Sequence, residues 1–140
     1  VVELACEHSS SFPEISIEQR SMLDLPYGDA SFDFVTCSQT IHHLSNQEVE
    51  EVLRSANRLA TKGIIISDLR RRPFCRYFAA AASMLMANRL TRHDGRLSFK
   101  NAFTPQEIEE LADKAGLASY KVHLHGPCRL VLLVDKRPAA

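Results

Sequence analysis

Residues 24–44, DLPYGDASFDFVTCSQTIHHL, decide how this chain is to be read, because they run from a turn through a buried strand to a polar loop. Pro26, Gly28, Asp29 and Ser31 supply turn chemistry, and the apolar run Phe32 to Cys37 has the length and composition of a short strand. Ser38, Gln39, Thr40, His42 and His43 then crowd onto the segment that follows. Polar groups gathered at the C-terminal end of a buried strand are where open α/β sheets place their ligands.

Outward from this stretch, strands and helices alternate. Upstream, Val1 to His8 reads as the end of a helix, broken by Ser9, Ser10, Ser11 and Pro13 before a short alternating strand, Ile15 to Arg20. Downstream, Ser45 with Glu48 three residues on forms a capping-box pattern, and Val49, Val52, Leu53, Ala56 and Leu59 or Ala60 fall on one helical face. Lys62-Gly63 is expected to end that helix, and Ile64-Ile65-Ile66 has the β-branched continuity of a strand buried on both faces. Ser67, Asp68, Leu69 and Arg70 follow at its C-terminal end.

An alanine- and methionine-rich helix is expected from Phe74 to Leu90, then a polar turn of Arg92, His93, Asp94 and Gly95 before Leu97 to Phe103. Thr104 and Pro105 with Glu107 mark another helix start, and Gly116 its end. Ser119 to His125 and Arg129 to Asp135, separated by Gly126-Pro127, read as an antiparallel hairpin. Helices between buried strands make the fold class α/β.

Composition narrows the function classes. The chain has 140 residues, 45% hydrophobic and 24% charged, which is enough for one core and shows no disorder signature. Seventeen basic and seventeen acidic residues cancel, so no global field attracts nucleic acid or anionic lipid. No apolar stretch is long enough to span a bilayer, and no signal-peptide pattern opens the chain. Cys6, Cys37, Cys75 and Cys128 are widely spaced without a Cys-x-x-Cys pair, so reduced, buried thiols and a cytoplasmic location are expected. His123, His125 and Cys128 lack a fourth ligand at a recognisable spacing, so no metal site is expected. The chain opens on Val1 inside a helical pattern, which leads us to expect an incomplete polypeptide.

These pieces, in this order, resemble the second half of a class I S-adenosylmethionine-dependent methyltransferase. The shared features are the Leu-Pro-aromatic segment at 25–27, Ser-Phe-Asp at 31–33, a strand ending in the His-His-Leu turn at 42–44, and the helix in FTPQEIEELADKAGL, residues 103–117. The resemblance implies a Rossmann-like sheet of order 3-2-1-4-5-7-6, of which strands three to seven are present, ending in an antiparallel hairpin. Residues 1–140 would then be a partial methyltransferase domain with a helical lid insert at about 70–103. No glycine-rich strand-to-helix loop occurs in the chain, and in the family that loop grips the carboxylate end of the cofactor. Without strands one and two, Phe32 to Val35 is expected to form an exposed, apolar sheet edge that invites pairing with another chain.

The resemblance also implies roles for residues. S-adenosylmethionine is the implied cofactor, with Ser21 and Met22 at the adenine, where nearby Asp24 is an alternative acceptor or else a turn or surface carboxylate, and Ser38 and Gln39 near its methionine part; Ser38 and Gln39 also read as loop polar groups that satisfy backbone. His43 is the first candidate for a catalytic base toward a hydroxyl acceptor, its alternative being a pocket-wall residue. His42, Asp68, Arg70, Tyr77, His93 and Arg129 are candidate contacts to a small-molecule acceptor, with Phe78, Met84, Met86, Phe99 and Phe103 as apolar wall. The run Arg70-Arg71-Arg72 reads equally as a solvated turn, and the helix at 74–90 as lid, subunit interface or plain core. Two rival functions remain: a non-catalytic methyltransferase-like subunit or cofactor-free fragment, and an unrelated nucleotide-binding or hydrolase domain. The absence of a phosphate-binding glycine loop and of a Gly-x-Ser-x-Gly elbow speaks against the second rival.

Overall fold

The fold is seen in a computed structural model that describes residues 2–75, 77, 98 and 100–137. In chain order the elements are α1 (Val2–Ser9), β1 (Phe32–Ser38), a 3-10 turn (Ile41–His43), α2 (Asn46–Leu59), β2 (Ala60–Leu69), α3 (Pro105–Lys114), β3 (Tyr120–His125) and β4 (Arg129–Asp135). The sheet order is β1-β2-β4-β3, with β1 parallel to β2 and β4 antiparallel to both of its neighbours. This is the 4-5-7-6 half of the expected sheet, with its terminal hairpin in place.

Side-chain alternation along the strands divides the sheet into a covered face and an open one. Val35, Cys37, Ile64, Ile66, Leu130, Leu132 and Val134 join Val49, Leu53, Ala56, Ile108, Leu111 and Ala112 in one core under α2 and α3. Both helices start on complete capping boxes, Ser45 with Glu48 and Thr104 with Glu107. Each box satisfies backbone N–H groups that a helix start otherwise leaves unpaired. Gly116, at φ +74°, closes α3, where its left-handed backbone suits a residue without Cβ. Tyr120 ties β3 to α3 by donating to Asp113 at 2.6 Å, and that hydrogen bond, helped by burial, pushes the phenol up to about 12.

Phe34, Ile65, Ser67, Val131 and Leu133 alternate onto the other face, where Phe34 is 52% exposed. Gly63 lets β2 and β4 approach closely, because a Cβ there would lie 2.9 Å from the Val134 carbonyl and 3.2 Å from the Phe34 ring. Among the described residues β1 has no partner on its outer side, so Phe32 and Phe34 do form an exposed apolar edge.

Several expectations are corrected. Ile15 to Arg20 forms no strand: its backbone joins no ladder among the described residues, alternation alone does not make a strand, and Ile15 is exposed. The helix after Ser45 ends at Leu59 instead of Lys62-Gly63, and β2 begins at Ala60, because Lys62 and Gly63 are held in strand between β1 and β4. Cys75 and Cys128 are joined in a disulfide across 53 residues, leaving Cys6 and Cys37 free. The cysteines therefore no longer argue for a reducing compartment. Phe103 is core, 5% exposed, not pocket wall. Most of the expected helix at 74–90 lies outside the described residues, although residues 73–75 and 77 are helical. The ends of the expected insert do meet: Arg70 and Phe103 form a parallel bridge, and the Arg71 N–H donates to the Phe103 carbonyl at 2.9 Å.

Candidate functional site

At the C-terminal end of β1 the chain turns sharply at Gln39, whose φ of +57° is left-handed, and then winds through the 3-10 turn into α2. Its backbone is fastened to the end of β2. The Gln39 N–H donates to the Ser67 carbonyl at 2.9 Å. The N–H groups of Thr40 and Ile41 donate to Asp68 Oδ2 at 3.0 and 2.8 Å, and that of His42 does so more weakly at 3.4 Å. Asp68 Oδ1 accepts from the Leu69 N–H and stands 2.6 Å from His42 Nδ1. Asp68 is 1% exposed and His42 4%, so this pair forms one buried polar cluster.

This changes the reading of two candidates. Asp68 was expected to contact the acceptor; its oxygens instead face inward and are occupied by loop amides and His42. The sequence held the signal, because Ile64, Ile66 and Asp68 alternate onto one strand face, and that face is the core. His42 is buried against Asp68, whereas His43, the expected base, is exposed and lies beside it with ring centroids 4.0 Å apart and the ring planes tilted by 43°.

Beside the loop lies a cavity of about 300 Å³ between β1, α2 and the segment before the Leu-Pro turn. Met22, Leu25, Val35, Cys37, Ser38 and Thr40 are among its lining residues. Of the four expected cofactor residues, Met22 and Ser38 thus share one cavity. Gln39 adjoins it in sequence, and Ser21 belongs to the turn that presents Met22, its hydroxyl accepting from the Leu23 N–H at 3.3 Å. Arg58 holds this segment against the end of α2, donating to the Tyr27 carbonyl at 2.7 Å and to Asp29 at 3.0 Å. Ser55 in the lining was missed by sequence reasoning, since only the folded contact of α2 with β1 brings it beside Leu25 and Thr40. Burial pushes the Cys37 thiol up, with the Asp68 charge adding to it against a hydrogen bond from Thr40, so this cysteine stays protonated near neutrality.

Of the remaining acceptor-side candidates, Arg70 and Arg129 lie at neighbouring strand ends, Arg129 pairing with Leu69 and the Arg70 N–H donating to the Cys128 carbonyl at 2.8 Å. Arg129 is half-buried and donates to Ser67 Oγ at 3.3 Å. Arg70 has its Nε buried with no hydrogen-bond partner among the described residues. Tyr77 is 74% exposed, and His93 lies outside the described residues. Among the described residues no group of histidine, cysteine and carboxylate side chains could hold a metal ion, and no helix is long and apolar enough to cross a membrane.

Comparison with known proteins converges on one fold. Residues 1–67 match the methyltransferase-domain family model. A SAM-dependent methyltransferase from Aquifex aeolicus superposes with a TM-score of 0.66 over 95% of this chain, at 15% sequence identity. The chain has the fold of a class I S-adenosylmethionine-dependent methyltransferase. Human N-acetylserotonin methyltransferase in complex with SAM (TM-score 0.64, 16% identity, 97% of this chain) has the same methyltransferase fold. So does magnesium protoporphyrin IX methyltransferase from Synechocystis with bound SAH (0.60, 13%, 97%). This chain spans 62%, 38% and 59% of the length of these three proteins. A search of curated proteins finds no match.

Proposed function

We propose that this methyltransferase domain serves methyl transfer from S-adenosylmethionine to a small-molecule acceptor, with an oxygen acceptor favoured. The observation that carries the reading is the cavity at the C-terminal end of β1, lined by Met22 and Ser38 and bordered by a loop pinned to β2. Its apolar lining of Met22, Leu25 and Val35 suits a flat aromatic base, and Ser21 keeps a spare lone pair to accept from an adenine amino group. Ser38 and Gln39 lie where the methionine part of the cofactor would pass. Bound there, S-adenosylmethionine supplies an electrophilic sulfonium methyl. Most of the rate then comes from holding the acceptor in line within a dry pocket.

A hydroxyl acceptor needs a base. In this proposal the role moves from His43 to His42, because His42 has a carboxylate to orient it. With Nδ1–H directed at Asp68, the Nε2 lone pair is the one left to accept a proton. Arg70, Tyr77, His93 and Arg129 remain the proposed acceptor contacts, and residues 70–103 the proposed lid over it. The buried Arg70 Nε, without a hydrogen-bond partner among the described residues, supports the first assignment, and the meeting of residues 70 and 103 the second.

A second reading has its own observation. The sequence has no glycine-rich loop to grip the cofactor carboxylate, which suits a non-catalytic methyltransferase-like subunit or a fragment that binds no cofactor. The exposed edge at Phe32 and Phe34 supports pairing with a further strand, for which a second copy is one source. The deciding experiment incubates the natural protein at its full length with methyl-labelled S-adenosylmethionine and a panel of phenols, enols and amines. Label transferred to a phenol or enol supports the proposal; no transfer to any acceptor by a folded sample favours the second reading.

A further inference from the structure

The cluster around Asp68 goes beyond the assignment of a cofactor pocket. Five donors converge on this one carboxylate: the N–H groups of Thr40, Ile41, His42 and Leu69, and the His42 ring. Such convergence is costly unless every donor finds an acceptor, since an unpaired N–H in a buried site forfeits its hydration without return. Ionised aspartate meets this demand with two oxygens that only accept, whereas asparagine offers one accepting oxygen and turns an NH2 group toward donors. The loop so fastened contains the left-handed Gln39, a conformation that costs a non-glycine residue energy and persists only where its surroundings over-determine it. Here the Ser67 carbonyl holds Gln39 from one side and Asp68 holds Thr40 from the other.

We infer that Asp68 is a positioning residue for the cofactor: from the end of β2 it sets the path of residues 38–41 along the cavity, with His42 as the second anchor of its carboxylate. Asp68 touches neither cofactor nor acceptor and acts through the loop backbone. This rests on the cofactor reading above. It explains why a charged residue occupies a core-facing position of β2, where Ile64 and Ile66 precede it on the same face.

The test measures S-adenosylhomocysteine affinity by calorimetry on the full-length natural protein and on Asp68→Asn, with amide exchange at Thr40 and Ile41 read on the same samples. The expected result is a loss of affinity of about tenfold or more in the folded variant, with faster exchange of these two amides than of β2 core amides. A folded variant that binds within about twofold of the unaltered protein overturns the inference. Should Asp68→Asn fail to fold, His42→Leu and His42→Asn decide. Asparagine places its amide N–H near the position of Nδ1 and is expected to retain affinity, whereas leucine is expected to lose it. Equal affinities in both variants overturn the inference. If the unaltered protein itself does not bind S-adenosylhomocysteine, the cofactor reading falls and takes this inference with it. Binding by the unaltered protein, undiminished in Asp68→Asn, removes the inference alone.

Discussion

Breaking the Cys75–Cys128 bridge is the perturbation whose size the structure fixes best. The bond spans 53 residues and ties the start of the segment after β2 to the turn that leads into β4, enclosing α3 and β3 within its loop. A cross-link restricts the unfolded chain, and for a loop of this length the chain-entropy relation gives about 4 kcal/mol at 25 °C. Cys75 is fully buried and Cys128 half-buried, so reduction is best carried out in denaturant, followed by refolding with reductant present. Denaturant titration of oxidised and reduced protein should show a fall in midpoint, with a thermal shift on the order of 10 °C. Thiol titration in denaturant should count two free cysteines before reduction, Cys6 and Cys37, and all four after it. Coincident midpoints with the thiol counts confirmed, or four free thiols without reductant, would refute the reasoning.

Three further outcomes follow from the local structure. Gly63→Ala should destabilise by about 1–3 kcal/mol in denaturant titration, because its Cβ meets the Val134 carbonyl and Phe34 ring in a strand paired on both sides. Gln39→Gly should stabilise by roughly 0.5–1 kcal/mol by relieving the left-handed backbone, a gain read as a higher thermal midpoint. Ser45→Ala should cost about 1 kcal/mol at neutral pH by removing the capping box of α2. The Ser45 N–H and then its hydroxyl hold the Glu48 carboxyl below the usual glutamate range. A depressed folded pKa stabilises at pH values above the unfolded one, so the stability gap between parent and Ser45→Ala should shrink as pH falls through the acidic range.

The elements most legible in the sequence were those with local chemistry. Ser45 with Glu48 and Thr104 with Glu107 announced both capped helices, Gly116 ended the second, and the hairpin strand Arg129–Asp135 came out with the expected bounds. What failed depended on partners. Ile15 to Arg20 alternates like a strand, yet a strand exists only with a neighbour to pair with. Lys62-Gly63 looks like a helix stop, but the tight approach of β4 draws those residues into the sheet. At the site, the sequence placed Ser38, Gln39, His42 and Asp68 at adjacent strand ends, which the fold upholds. The alternation of Ile64, Ile66 and Asp68 already put Asp68 on the core face, but no local pattern announced the donors 26 to 28 residues away that satisfy its carboxylate there. Nor did four scattered cysteines reveal a pair, since the contact between residues 75 and 128 exists only after β4 docks beside β2.

The central claim is that the cavity beside the 38–43 loop receives S-adenosylmethionine, and its most direct test is calorimetric titration of S-adenosylhomocysteine into the full-length natural protein, with a Met22→Lys variant alongside. The account predicts saturable one-to-one binding at micromolar strength or tighter, abolished or strongly weakened when a charged chain enters the cavity at position 22. A folded protein that takes up no S-adenosylhomocysteine, or one whose binding is indifferent to Met22→Lys, would contradict it.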